Sequence, residues 1–240
     1  MVLYEQTQLF VIGGQNSQFQ DLKSSEFLVI KNSQIQSTEG PELPFTVRAH
    51  CAIEISANTV FIIGGFQNGV KSKETWILED PKQVQINIKQ GPTLRNVKAY
   101  HTCGMVKIDN QRSVLVVAGG EKSQFESTNT VELLDLSNSS NGWKFGKFIT
   151  ILYCFISVPF HLFIGPRLPY SIERSSMVTR PDGKAVTLIG GWNRGKNQFY
   201  TKFLELNANF YNWTVLNQSL STGRRLHLSI PIPDNLISCN

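Results

Sequence analysis

Phe10-Val11-Ile12-Gly13-Gly14 is a short apolar run stopped by two glycines, and the chain carries the same phrase three more times. The copies are Phe61-Ile62-Ile63-Gly64-Gly65, Val116-Val117-Ala118-Gly119-Gly120 and Thr187-Leu188-Ile189-Gly190-Gly191. Each predicts a buried β-strand, too short for a helix, that ends where the backbone needs the freedom of glycine. The first glycines stand 51, 55 and 71 residues apart, so two spacings agree and the third is long.

Other landmarks keep phase with these glycines. Arg48-Ala49-His50, Ala99-Tyr100-His101, Arg174-Ser175-Ser176 and Arg225-Leu226-His227 read as the starts of strands, with His50, His101, Ser176 and His227 as equivalents. In three repeats a turn-forming stretch then leads into the glycine strand: Ser56-Ala57-Asn58, Asp109-Asn110-Gln111 and Pro181-Asp182-Gly183. After the glycines come a polar loop, a half-apolar strand such as Val131 to Leu136, and a last strand that twice holds a tryptophan, Trp143 and Trp213. Gly40-Pro41-Glu42-Leu43-Pro44 and Gly91-Pro92-Thr93-Leu94-Arg95 close two of the units. Four short strands per repeat of roughly 50 residues is the period of a propeller blade.

In these features the sequence resembles the Kelch repeat over almost its whole length. The resemblance implies an all-β, Kelch-type β-propeller of about four four-stranded blades, the glycine-ended strand buried on both faces and the late tryptophan packed between neighbours. One repeat departs from the pattern, with Trp76 early and Gln85-Ile86 where the late tryptophan is expected. Kelch propellers commonly have more blades, so the resemblance makes this an incomplete propeller. Arg224 to Pro231 reads as one further first strand.

The long spacing has a local cause. Lys147 to Gly165, KFITILYCFISVPFHLFIG, interrupts a motif that otherwise joins Gly146 to Pro166-Arg167-Leu168-Pro169. Without it the closing phrase reappears and all three spacings agree. Its apolar core holds Pro159 and His161, a poor composition for a spanning helix. Gly146-Lys147-Phe148 can be encoded with a donor-like GTAAGT and Phe163-Ile164-Gly165 with an acceptor-like AG, so one reading is a retained intron. The other is a genuine apolar loop that docks on a partner. The expected organisation is one domain over 1–240 with an apolar insert at 147–165.

Composition narrows the function. At 240 residues and 41% apolar the chain is long and apolar enough to bury a core. The net charge of +5 is spread over scattered basic residues, so nucleic acid is not the expected partner, nor is a membrane. Four cysteines without a CxxC pair point away from a disulfide scaffold and from a thiolate zinc site. No leader is visible at the start, so the chain as written is expected in the cytosol. No catalytic nucleophile arrangement or phosphate-binding loop is legible, and no metal or cofactor is expected. His50, His101 and His227, with Cys51 and Cys103 nearby, are explained by repeat symmetry more simply than by a metal.

The loops remain. Those after the glycine pairs and those before each first strand carry Arg48, Arg95, Lys98, Arg174, Arg224, Arg225 and Arg194, interleaved with Phe66 and Trp192, and further out Lys71, Lys73 and Phe125. Guanidinium groups bind carboxylates in bidentate fashion, so a ring of such residues suits an acidic peptide or a protein partner. The expected function is a non-enzymatic interaction module. The second reading is a Kelch-propeller enzyme of the galactose-oxidase or sialate-epimerase type, although the Tyr-Cys crosslink and histidine ligands of the copper oxidase find no place here.

Overall fold

The computed structural model describes residues 2–4, 8–31, 34–83, 86–122, 125–145, 147–151, 160–164, 166–208 and 212–229. It is all-β, relieved by one 3-10 turn at Leu136–Asn141, and divides into two compact units, Met1–His101 and Thr102–Asn240. Each unit holds two four-stranded antiparallel sheets. In the first unit these are Val2–Tyr4, Gln8–Ile12, Ser25–Lys31 and Gln34–Glu39, then Cys51–Ser56, Thr59–Ile63, Thr75–Glu79 and Asn87–Gln90. In the second they are Thr102–Lys107, Ser113–Ala118, Val131–Asp135 and Lys144–Phe145, then Ser176–Thr179, Ala185–Ile189, Lys202–Asn207 and Thr214–Ser219.

Each of these four-stranded sheets is a meander whose second strand ends in a glycine pair. Those strands are the core: Val60 to Ile63 and Val114 to Ala118 are all buried, as strands covered on both faces must be. In the first unit Phe10, Ile12 and Phe27 of one sheet meet Val60, Ile62 and Leu78 of the next, sealed by Leu43, Phe45 and Val47 from the connection between them. In the second, Val116, Leu133, Val186, Leu188 and Leu204 share a core with Trp213, whose indole N–H donates to the Pro166 carbonyl at 3.1 Å.

The glycine pairs all adopt left-handed backbone, with φ of 55° and 104°, 55° and 83°, 65° and 97°, and 60° and 106° in chain order. The turn they make is closed the same way each time. The second glycine donates its N–H to the carbonyl of Val47, Lys98, Ile172 or Arg224 respectively. A Cβ on Gly119 would lie 2.5 Å from the Ile172 carbonyl oxygen, whereas one on Gly142, at a similar φ of 63°, meets nothing within 4 Å. G142A meets no clash, but at φ 63° and ψ −177° its backbone is one that almost only glycine adopts, so it is expected to cost about 1 to 3 kcal/mol. G119A carries the backbone clash besides and should cost about 1 to 3 kcal/mol more. Equal midpoints for the two variants in urea unfolding would refute the close approach.

These bonds also define which residues are equivalent. Val47, Lys98, Ile172 and Arg224 start the segment, and three residues on stand His50, His101, Ser175 and His227. Ser175, rather than the expected Ser176, is thus the counterpart of the histidines. The closing leucines agree as well: Leu43, Leu94, Leu168 and Leu220 donate to the carbonyls of Lys23, Lys73, Asn129 and Thr201.

Leu168 takes its place although the insert precedes it. Lys147–Ile151 and Phe160–Ile164 pair with each other in a separate two-stranded sheet, outside the four-stranded ones. Because Lys147 faces Ile164 across this ladder, the chain leaves and re-enters the repeat at one point. At the other end, residues 224–229 form no strand, contrary to the expected extra one, and 230–231 lie outside the described residues. Cys51 and Cys103 are each disulfide-bonded, which cysteine spacing did not disclose. Among the described residues no helix is long and apolar enough to cross a membrane.

Candidate functional site

The loop after each glycine pair and the segment before the next first strand are brought together by backbone pairing. In the first unit Arg48 pairs with Phe66 and Val47 with Gln67. In the second, Glu173 and Trp192 exchange both hydrogen bonds, at 2.8 and 2.9 Å. Side chains at these positions therefore emerge next to one another, which joins two of the loop classes singled out in the sequence.

The first unit uses this junction for an internal ion pair. Arg48 Nε lies 2.7 Å from Asp21 Oδ1, its Nη1 donates to the Tyr100 hydroxyl at 3.2 Å, and its guanidinium sits 3.8 Å above the centre of Phe66. Lys71 approaches the same ring at 5.7 Å. Phe66 is buried, and so is Lys98, only 1% exposed. Lys98 is thus corrected from a displayed loop cation to an interior one: its carbonyl accepts from the Gly65 N–H and its N–H donates to the Ser72 carbonyl, which hold it against the glycine turn. Arg95 and Lys73 are exposed.

The second unit is built around two interior carboxylates. Glu173 is 0% and Glu121 1% exposed. Arg194 Nη2 reaches Glu121 at 2.8 Å and Glu173 at 3.4 Å, Arg174 Nε reaches Glu173 at 3.2 Å, and Ser127 Oγ donates to Glu173 at 3.1 Å. The Arg194 backbone N–H returns to Ser127 Oγ at 2.9 Å, which locks the loop onto the carboxylates.

Around this network the aromatics and guanidinium groups alternate. Arg194 lies 5.9 Å from the centre of Phe125 and 5.3 Å from Trp192; Arg225 lies 4.2 Å from Trp192 and 5.5 Å from Phe199. Phe125 and Phe199 are exposed. Glu121 and Glu173 offset the charges of Arg174 and Arg194. Arg225, itself exposed, has no carboxylate partner among the described residues, and the Arg224 guanidinium there makes a long 3.4 Å bond to the Thr222 carbonyl. The Trp192 indole N–H is buried without an acceptor among the described residues.

The expectation that Arg48, Arg174 and Arg225 are equivalent is corrected by the backbone. Counted from the carbonyls that close the glycine turns, Arg48 matches Arg225, while the third member of that set is Glu173. Arg174 falls one residue later, with Ala49, Tyr100 and Leu226, and all four have positive φ of 52° to 58°. Sequence reasoning also missed Asp21, Glu121 and Glu173. The signal for Glu121 was its place directly after Gly119-Gly120, where Phe66 and Trp192 stand in other repeats.

No family model and no curated protein matches the sequence. Among solved structures, the chain is similar to YjhT, with 12% identity and a TM-score of 0.59 over 85% of this chain and 54% of that one. The chain spans about half the length of that neighbour. At this identity the likeness bears on fold alone. The chain is an all-β protein of serial four-stranded antiparallel sheets.

Proposed function

We propose that the chain is a Kelch-type β-propeller domain contributing four blades, and that it acts as a non-enzymatic interaction module for an acidic peptide or the acidic segment of a protein partner. Four meander sheets in phase with four glycine pairs support the fold reading. The observation that carries the binding reading is Arg225, an exposed guanidinium held between Trp192 and Phe199 with no carboxylate partner among the described residues. Its neighbours Arg174 and Arg194 already have theirs. A ligand carboxylate would complete a charge-assisted pair with Arg225.

A fluorescein-labelled oligoglutamate peptide followed by anisotropy tests this. R225A should weaken binding about tenfold or more, equivalent to about 1 to 3 kcal/mol. R174A should change it little, and affinity should fall as salt rises because exposed charges are screened. Binding indifferent to R225A, or to salt, would dispose of the site.

A further inference from the structure

Three stretches of the chain have the form Asn-x-Ser/Thr that accepts an N-linked oligosaccharide: Asn138-Ser139-Ser140, Asn212-Trp213-Thr214 and Asn217-Gln218-Ser219. Chance supplies such triplets, so what counts is where the fold puts them. All three lie in the second unit, each with its asparagine and its hydroxyl residue exposed. Asn212 is set apart by its middle residue, since Trp213 is buried in the core.

Asn138 sits in the connection between Val131–Asp135 and Lys144–Phe145, at the end of the sheet away from the Gly119-Gly120 loop. Its backbone, at φ −143° and ψ 56°, departs from the 3-10 turn around it. The Ser140 hydroxyl donates to Asn138 Oδ1 at 2.9 Å, so the two side chains that define the acceptor triplet are already in contact, and Nδ2 has no partner among the described residues. Asn217 lies in Thr214–Ser219, the last strand of its sheet, exposed at every position except Leu216. The last strands of the other three sheets each carry a charge, Glu39, Lys89 or Lys144, of the kind that keeps an open edge from pairing with another chain. Thr214–Ser219 carries none, and it alone of the four holds an acceptor asparagine.

The compartment is indicated separately. Cys51 and Cys103 are each disulfide-bonded, and such bonds persist in the oxidising spaces of the secretory route rather than in the cytosol expected from the sequence. We propose that Asn138 and Asn217 are N-glycosylated in the secretory lumen, the Asn217 glycan shielding the edge that its strand leaves uncharged. The donor is an oligosaccharide joined to a lipid through pyrophosphate. Asparagine Nδ2 bonds to the anomeric carbon, the bond from that carbon to the pyrophosphate oxygen breaks, the lipid pyrophosphate departs, and the amide gives up one proton. The proposal does not rest on the acidic-peptide reading, because neither asparagine belongs to that site.

The test starts with the full chain immunopurified from the cells that make it and digested with peptide-N-glycosidase in heavy-oxygen water. Its electrophoretic mass should drop, and mass spectrometry should find Asn138 and Asn217 converted to heavy-oxygen aspartate. A chain that does not shift and keeps unlabelled asparagine at both positions overturns the proposal, even where an added leader forces glycosylation in cultured cells. In that leader-bearing form N138Q and N217Q should each remove one glycan step. S140A should match N138Q, because it keeps the asparagine and removes only the hydroxyl; an S140A chain that retains the glycan overturns the assignment of that triplet. N217Q should also aggregate more than N138Q in light scattering, and equal aggregation of the two would overturn the shielding role.

Discussion

Acidification between pH 6.5 and about 3 is expected to unfold this protein before its carboxylates are neutralised, and His50 and His101 are the reason. Burial holds both imidazoles down to a pKa of about 3 from the usual 6.5; for His101 the nearby Lys98 charge adds to this, against the opposing pull of the Ile63 carbonyl. The folded protein therefore keeps both neutral at a pH where the unfolded chain binds two protons. Stability rises with pH wherever the unfolded state holds more protons, so it falls as pH drops from 6.5 towards 3. Near pH 4.5 the two sites together remove roughly 5 kcal/mol, at about 1.4 kcal/mol per pH unit for each. That is comparable to the whole stability of many domains. Urea midpoints measured from pH 7.5 downward should decline steeply below 6.5, and H50N/H101N should flatten that decline. A slope unchanged in the double variant sinks the assignment. His227 contributes in the same direction, lowered by burial and then by Arg224.

Those histidines illustrate what the sequence could and could not say. Their recurrence in phase with the glycine pairs was plain, as were the four glycine-ended strands and the closing leucines Leu43, Leu94 and Leu168, because repetition amplifies a signal that one copy would not carry. The one-residue error at Ser176 has a physical origin. The residue that sets the register turns left-handed at Ala49, Tyr100, Arg174 and Leu226, and none of these is the glycine or asparagine that would have marked it. Leu220 was passed over because its closing turn lacks the Gly-Pro of the others.

The candidate site was legible in its cations and not in its anions. A scattered arginine reads as a surface charge, and Arg225 is one. Arg48, Arg174 and Arg194 are instead held by Asp21, Glu121 and Glu173, which lie 27, 73 and one or 21 residues away in pairings that no local pattern reveals. The fold supplies those partners through the strand bridge between Glu173 and Trp192, which sets the glutamate under the loop that carries Arg194. In the second unit the cations thus divide into Arg174 and Arg194, held by Glu121 and Glu173, and the exposed Arg224 and Arg225.

Removing Arg194 should be among the most damaging single changes in the second unit. Its guanidinium is the contact shared by Glu121 and Glu173, both buried, and truncation leaves Glu121 without it and Glu173 with Arg174 and Ser127 only. Breaking a buried charge pair by deleting one partner costs about 3 to 5 kcal/mol, because the remaining charge stays out of water with less to compensate it. Arg194 is itself 35% exposed, so the lower end of that range applies. R194A is expected to lower stability by about 3 kcal/mol, and R194K to recover only part, since a lysine cannot fork towards two carboxylates. E121Q in the R194A background should recover part of the loss, by removing the charge that Arg194 had offset while keeping its shape. In a double-mutant cycle the Arg194–Glu121 coupling should then exceed about 1 kcal/mol. A coupling near zero would mean the carboxylates are held by the loop backbone and Ser127 alone. Arg194 would in that case join Arg225 as a cation open to the proposed ligand.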